Sequence, residues 1–176
     1  MLKNKKILLT IVLSVFIVIF GLFCYVVVKN INTGLTGQGE KNSPAIIYRN
    51  DKYGFEVKLP DGWKGFRVSE SQKDIFGTNE EGIIGHFPEI DIVSPLSTAN
   101  NPRQNIPIFI FTAEQWGHIG YEKVADWYVS AAPIPPSELG KNGKYVFALP
   151  ARYNYAYLPG WEEVQRIIDT KPLTAF

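Results

Sequence analysis

The chain has 176 residues, 45% of them hydrophobic, one cysteine and a formal charge of +1, with a mean hydropathy of −0.05. These averages exclude a strongly basic nucleic-acid binder, a disordered polyelectrolyte and a disulfide-stapled mini-protein. They also hide a split: four lysines (Lys3, Lys5, Lys6 and Lys29) flank an uncharged run, and without them 14 basic residues face 17 acidic ones, a net of −3.

The uncharged run, Ile7 to Val28, is 22 residues long. At about 1.5 Å per helical residue it reaches roughly 33 Å, enough for a hydrocarbon core of about 30 Å. A buried core helix of that length needs a polar stripe, and only Thr10, Ser14, Gly21, Cys24 and Tyr25 interrupt the aliphatics and Phe. The segment therefore predicts a transmembrane helix over 7–28, after a cytoplasmic stretch at 1–6. Its length, and the absence of any alanine before Ala45, favour a retained anchor over a cleaved signal peptide. Phe23 is too bulky to precede a lipoprotein acceptor at Cys24, which reads as a thiol packed in lipid. Three lysines and the free amine precede the span while Lys29 alone directly follows it. The positive-inside rule then places the chain in the cytoplasmic membrane, N-terminus inside and the rest extracytoplasmic.

Residues 29–45 follow as a flexible linker, centred on the Gly- and Asn-rich stretch Asn30 to Pro44. From Ile46 to Phe176 the chain is one domain's length with no second linker, repeat or low-complexity tract. Ile46–Arg49 and Phe55–Leu59 predict two antiparallel strands turning at Asn50-Asp51; Pro60-Asp61-Gly62 is turn chemistry, and Phe66–Val68 resumes the alternation. Ser69–Glu81 is polar and predicts a loop. Ile90–Val93 reads as a strand, and Ile106–Phe111, apolar on both faces, as a central strand with Pro107 near its start. Thr112-Ala113-Glu114-Gln115 fits a capping box opening a short helix. Val124, Trp127, Tyr128 and Ala131, at helical spacing, predict a second helix. Asn142-Gly143 is a hairpin turn into strand Tyr145–Leu149. Ala151–Tyr157 predicts a strand with Tyr153, Tyr155 and Tyr157 on one face. Trp161 to about Asp169 predicts a last helix, with acids in its first turn, Val164, Ile167 and Ile168 as its apolar face, and Pro172 beyond. The sum is an α+β domain, an antiparallel sheet with helices on its faces.

The run Tyr48-Arg49-Asn50-Asp51-Lys52-Tyr53-Gly54-Phe55 through Leu59-Pro60-Asp61-Gly62-Trp63 resembles the opening of PsbP-like domains, and the closing helix with Lys171-Pro172-Leu173 is similar to their end. The chain also resembles uncharacterised single-span bacterial proteins carrying segments like Asn101–Ile108 and Tyr145–Tyr155. The resemblance implies an α/β/α sandwich over 46–176 serving as a non-catalytic binding or assembly module. The photosystem role is not implied, because this chain carries a membrane span.

Chemistry-bearing motifs are sparse. His86, Glu89 and Asp91 are the only grouped metal-ligand types; on a strand the two acids share a face and His86 points to the other, unless Pro88 breaks the register. Ser94, Ser97, Ser130 and Ser137 lack an elbow or Ser-x-x-Lys context. Glu80-Glu81 and Glu162-Glu163 are adjacent in sequence rather than opposed across a cleft, Gly82–Gly85 is no phosphate loop, and Pro133–Pro136 reads as a rigid loop. No cofactor or metal is implied. Tyr153, Tyr155 and Tyr157 beside Arg103 or Arg152 suit a stacking surface for a sugar, peptide or polyanion; the alternative is a strand face packed under a helix. Arg103, Glu138, Arg152 and Asn154 are polar positions in segments otherwise built of core and turn residues, so any that are buried must be paired, Arg152 with Glu138 first. The candidate ligand-binding set is thus Arg103, Glu138, Arg152, Tyr153, Asn154 and Tyr155. The expectation is a membrane-anchored, extracytoplasmic, non-catalytic binding or scaffold module with an envelope protein or glycan as partner. The rival expectation is an extracytoplasmic hydrolase built on His86 or His118.

Overall fold

A computed structural model describes residues 45–78, 82–119, 127–130 and 134–176. The expected cytoplasmic stretch (1–6), transmembrane helix (7–28) and linker (29–45), apart from Ala45, lie outside these residues. Among the described residues no helix is long and apolar enough to cross a membrane. The structure from Pro44 to Phe176 is one compact unit.

Its architecture corrects the expected helix-flanked sandwich: the described residues form a β structure with two short α-helices. Nine strands form β1 (Ile46–Asn50), β2 (Phe55–Leu59), β3 (Arg67–Gly77), β4 (Ile83–Val93), β5 (Ile106–Thr112), β6 (Trp127–Tyr128), β7 (Ser137–Lys141), β8 (Tyr145–Leu149) and β9 (Leu173–Ala175). They make a three-stranded sheet in the order β1-β2-β9 and a six-stranded sheet in the order β6-β3-β4-β5-β8-β7, all antiparallel. The helices are α1 (Ala113–Ile119) and α2 (Trp161–Asp169). Neither is long enough to cover a sheet face alone; on one face of the large sheet the small sheet does most of that.

The reason is visible in the side-chain alternation. Phe55, Val57 and Leu59 of β2 are buried, as are Ile90 and Ile92 of β4, Ile106, Ile108 and Ile110 of β5 and Phe147 of β8, and all belong to one core. The small sheet therefore packs onto one face of the large one, the arrangement of stacked sheets. Val164 and Ile167 of α2 enter the same core, so the predicted apolar face of that helix holds. The other face of the large sheet carries a second core of Ile75, Phe87, Phe109, Phe111 and Ala148, which α1 covers through Ile119. β5 contributes to both cores and lies between β4 and β8, as its doubly apolar sequence predicts. Pro107 sits where β5 pairs β4 alone, since the β8 ladder begins only at Phe109, a position that tolerates a missing N–H.

Two seams tie the sheets together. On one side Glu70 of β3 accepts hydrogen bonds from the Tyr53 hydroxyl and the Lys52 ammonium, each at 2.6 Å. On the other, Leu173 of β9 closes against Gly140 of β7. Asn142 clasps three segments at the β7–β8 turn: its amide donates to the carbonyls of Tyr53 (2.9 Å), Gly54 (3.1 Å) and Phe176 (3.2 Å). Gly54 is obligatory at this point, because with φ at +78° an added Cβ would lie 2.7 Å from the Phe176 oxygen.

Three further expectations are corrected. The described part of Ser69–Glu81 is not a loop: β3 continues through Gly77 and pairs β4 residue by residue from Arg67 to Ile75, with a register shift before Phe76, and backbone hydrogen bonds sustain a strand whose residues from Arg67 to Lys73 are exposed; residues 79–81 lie outside the description. The stripe Val124, Trp127, Tyr128, Ala131 is not a helix at its described positions. Trp127 and Tyr128 pair Gly77 and Phe76 of β3, and Tyr128 stacks on Phe76 at 5.4 Å; residues 120–126 and 131–133 lie outside the description. Ala151–Tyr157 is not a strand but a chain of turns, in which Tyr153, Tyr155 and Tyr157 donate N–H bonds three residues back, to Pro150, Arg152 and Asn154. The capping box before α1 forms as predicted: Thr112 N–H donates to the Gln115 side chain at 2.9 Å and Gln115 N–H to the Thr112 hydroxyl at 3.1 Å.

Candidate functional site

Antiparallel pairing puts the end of β4, the start of β5 and the end of β8 at one end of the large sheet. The loops that leave these strands, residues 94–105 and 150–160, therefore meet. Most of the predicted ligand-binding set lies on them.

The first loop is braced from within by small polar side chains. Ser97 N–H donates to the Ser94 carbonyl, Leu96 N–H to the Ser94 hydroxyl and Arg103 N–H to the Ser97 hydroxyl. Arg67 at the start of β3 donates to the Ser97 carbonyl at 2.8 Å. Ser94 and Ser97, both buried, are thus occupied as loop braces. Gln104 joins the two loops. Its N–H donates to the Pro159 carbonyl and its side-chain amide to the Tyr153 and Asn105 carbonyls, all at 3.1 Å. A buried amide with its donors satisfied contributes about 1 kcal/mol per bond and fixes one arrangement of the two loops.

The second loop makes its turns with Arg152 and Tyr157 at φ of 52° and 47°. Its tyrosines consequently do not share a face. Tyr153 is half-buried against the first core, donates its hydroxyl to Gln165 of α2 at 2.8 Å, and has its phenol raised above the ordinary value by burial and then by Asp169. Tyr155 and Tyr157 are 78% and 67% exposed, and Leu96 on the neighbouring loop is 61% exposed. Tyr157 meets Trp161 edge-to-face at 5.2 Å. The Arg103 guanidinium lies over Gly160, where a Cβ would fall 2.9 Å from Nη2. Asn154 is half-buried and Arg152 exposed. The result is an end surface of exposed aromatic and aliphatic side chains on a hydrogen-bonded base, with two arginines.

Glu138 stands apart from this surface. It faces Ala148 on the edge strand β7 and makes an ion pair with Lys141 at 3.9 Å. The proposed Arg152–Glu138 partnership is not what the structure has, because neither side chain is buried and neither needs the other. Leu96 and Gln104 were not anticipated. Gln104 is recognisable only once its neighbours are known, and Leu96 only as a lone aliphatic in a Ser-, Pro- and Asn-rich loop.

The metal-ligand group divides as strand alternation requires. Gln72 pairs Pro88 without a break in register, so His86 lies opposite to Glu89 and Asp91 and meets Asp74 at 2.9 Å in the open. Glu89, nearly buried, accepts from Lys73 Nζ at 2.8 Å and Ser71 Oγ at 3.1 Å. Burial, and then the Glu89 charge, push the Asp91 carboxyl up to about 6, against the pull of Lys73. Among the described residues no three His, Cys, Asp or Glu side chains converge as metal ligands. His118 stacks on Trp127 with centroids 4.2 Å apart. Comparison with protein-family models, characterised proteins and solved structures returns no match.

Proposed function

We propose that the chain is a membrane-anchored binding or scaffold module, displayed outside the cytoplasmic membrane on the N-terminal span, and that it engages an envelope component through the paired loops 94–105 and 150–160. The observation that carries the reading is the convergence itself. Two loops about 50 residues apart in sequence are held together through Gln104, and that fixed base presents Leu96, Tyr155 and Tyr157 to solvent. Rigid amphipathic rings on a braced base are what recognition surfaces use, because they bury large area while losing little side-chain entropy. Loops held by a stable scaffold are where binding residues concentrate.

The test has two arms. Protease added to intact spheroplasts should digest the domain; its protection, or recovery of the full chain in the soluble fraction, overturns the topology. A photo-crosslinking phenylalanine analogue in place of Tyr155 should give a discrete adduct in membranes, whether with protein, glycan or lipid. The same analogue in place of Tyr128, also exposed but on the sheet edge, should not. Equal adducts at both positions, or none at either, overturn the binding surface.

A further inference from the structure

The end of the domain that carries the paired loops is also the end at which the chain enters it. Ile46 opens β1 opposite Leu59 at the close of β2. Four residues on, the Trp63 indole donates to Glu163 in the first turn of α2 at 3.2 Å, and Gly160, just before that helix, lies under Arg103. Residue 45 and the exposed tip therefore lie at one end, while the 142–144 turn lies at the other end of β7 and β8.

Composition separates this end from the rest. The 23 residues 94–105 and 150–160 contain two arginines and no carboxylate, within a domain (45–176) of 13 basic and 16 acidic residues. All the acidic surplus thus lies elsewhere. Tyrosine, with an apolar ring and a hydroxyl tip, is at home in the headgroup layer of a bilayer, and arginine matches a phosphate with two parallel N–H donors. Only the 16 residues 29–44 separate the apolar run from the domain. Fully extended they span at most about 53–58 Å, so a domain on an anchored chain meets the bilayer surface at high effective concentration.

We infer that the tip is a membrane-docking surface: Leu96, Tyr155 and Tyr157 seat in the headgroup layer of the bilayer that holds the span, and Arg103 and Arg152 take lipid phosphates. This rests on the anchored-module reading above. Docking holds the domain with its chain-entry end down and leaves the acidic remainder facing outward.

The full chain, with Cys24→Ser and a nitrobenzoxadiazole label at Ala99→Cys or at Lys144→Cys, is reconstituted into phosphatidylglycerol vesicles containing headgroup-nitroxide lipid. Nitroxide should quench the label at 99 at least threefold more than the label at 144. Adding Tyr155→Ala, Tyr157→Ala and Arg152→Gln should abolish the difference while the near-ultraviolet circular dichroism stays unchanged. Arg103 is left in place because it packs on Gly160. Equal quenching at 99 and 144, or a difference that survives the triple substitution, overturns the docking surface. If quenching is equal but Tyr155 still crosslinks specifically to a protein, the lipid surface falls and the module reading stands. Protease protection in spheroplasts removes both.

Discussion

Asn142 offers the sharpest test of how the two sheets are closed. Its Nδ2 has two hydrogens and three carbonyl acceptors within 2.9–3.2 Å, on Tyr53, Gly54 and Phe176. Its Oδ1 accepts the N–H groups of Lys144 (3.0 Å) and Tyr145 (2.8 Å). Asn142→Ala removes both sets. At about 0.5–1.5 kcal/mol per neutral bond, with water replacing the exposed partners, the loss is about 2–4 kcal/mol. Asn142→Asp separates the two functions: the turn keeps its acceptor, but both donors vanish and a carboxylate faces three carbonyl oxygens. The Asp variant should therefore be no more stable than the Ala variant at pH 8, despite its near-identical shape. Repulsion favours its protonated form in the folded state, which binds more protons there than the unfolded chain, so its stability falls as pH rises and recovers in acid. Urea unfolding of the full chain in detergent, followed by near-ultraviolet circular dichroism at pH 4.5 and pH 8, reads both effects. An Asp variant as stable as the wild type at pH 8 would refute the clasp as a donor device.

Three other outcomes follow from particular contacts. Asp91, whose carboxyl is pushed up to about 6 by burial and then by the Glu89 charge, is destabilising when ionised. The folded state binds the extra proton, so stability falls as pH rises from about 4 to 6. A rise of that size corresponds to about 3 kcal/mol, and solvent screening of a partly exposed group reduces it to roughly 1–2; Asp91→Asn should gain that much at pH 7 and flatten the slope, and an unchanged slope counts against the burial of Asp91 as its cause. Gly54→Ala combines a left-handed backbone with a Cβ 2.7 Å from the Phe176 oxygen, and should cost about 2–4 kcal/mol in the same unfolding assay, with amide exchange at Phe176 accelerated. Thr112→Ala breaks the capping box of α1 and should cost about 1 kcal/mol, with faster exchange confined to 112–119.

What could be read from the sequence was whatever local periodicity decides. β2 alternates Phe55, Glu56, Val57, Lys58, Leu59, β5 is apolar throughout, and α2 repeats apolar residues at helical spacing; each is buried on the faces those patterns imply. The failures come from non-local pairing. β3 is polar from Ser69 to Asp74 and reads as a loop, yet β4 supplies a full ladder along it, so pairing outweighs composition. β6 and β9 are short strands whose partners, β3 and β2, lie far away in sequence. The tyrosines at 153, 155 and 157 imitate a strand because each closes a β-turn and successive turns are offset by two residues. The stronger signals were the flanks, Pro150 on one side and Leu158-Pro159-Gly160 on the other. Alternation places Glu89 and Asp91 on one face, but nothing local places Lys73 beside Glu89, because the polar run of β3 carries no strand signal of its own.

The same division explains why the proposed recognition surface lies at an end and not on a sheet. Each face of the large sheet is committed to a core, one to the small sheet and α2, the other to α1 and the aromatic cluster of Phe87, Phe109 and Phe111. Polar groups stranded between them, such as Glu89, are held by cross-strand partners and have little freedom to meet a ligand. Strand ends carry no such obligation. Their loops are free of packing on one side, and Ser94, Ser97 and Gln104 satisfy the backbone from the other. Large side chains such as Leu96, Tyr155 and Tyr157 then stay in water without loosening the base beneath them. Exposure of that kind adds little to stability, so replacing Tyr155 and Tyr157 by alanine should cost no more than the edge contact of Tyr157 on Trp161, about 0.5–1.5 kcal/mol of unfolding free energy, while removing the rings through which the tip is proposed to dock. A large stability loss in that double variant would assign the two rings to the core instead.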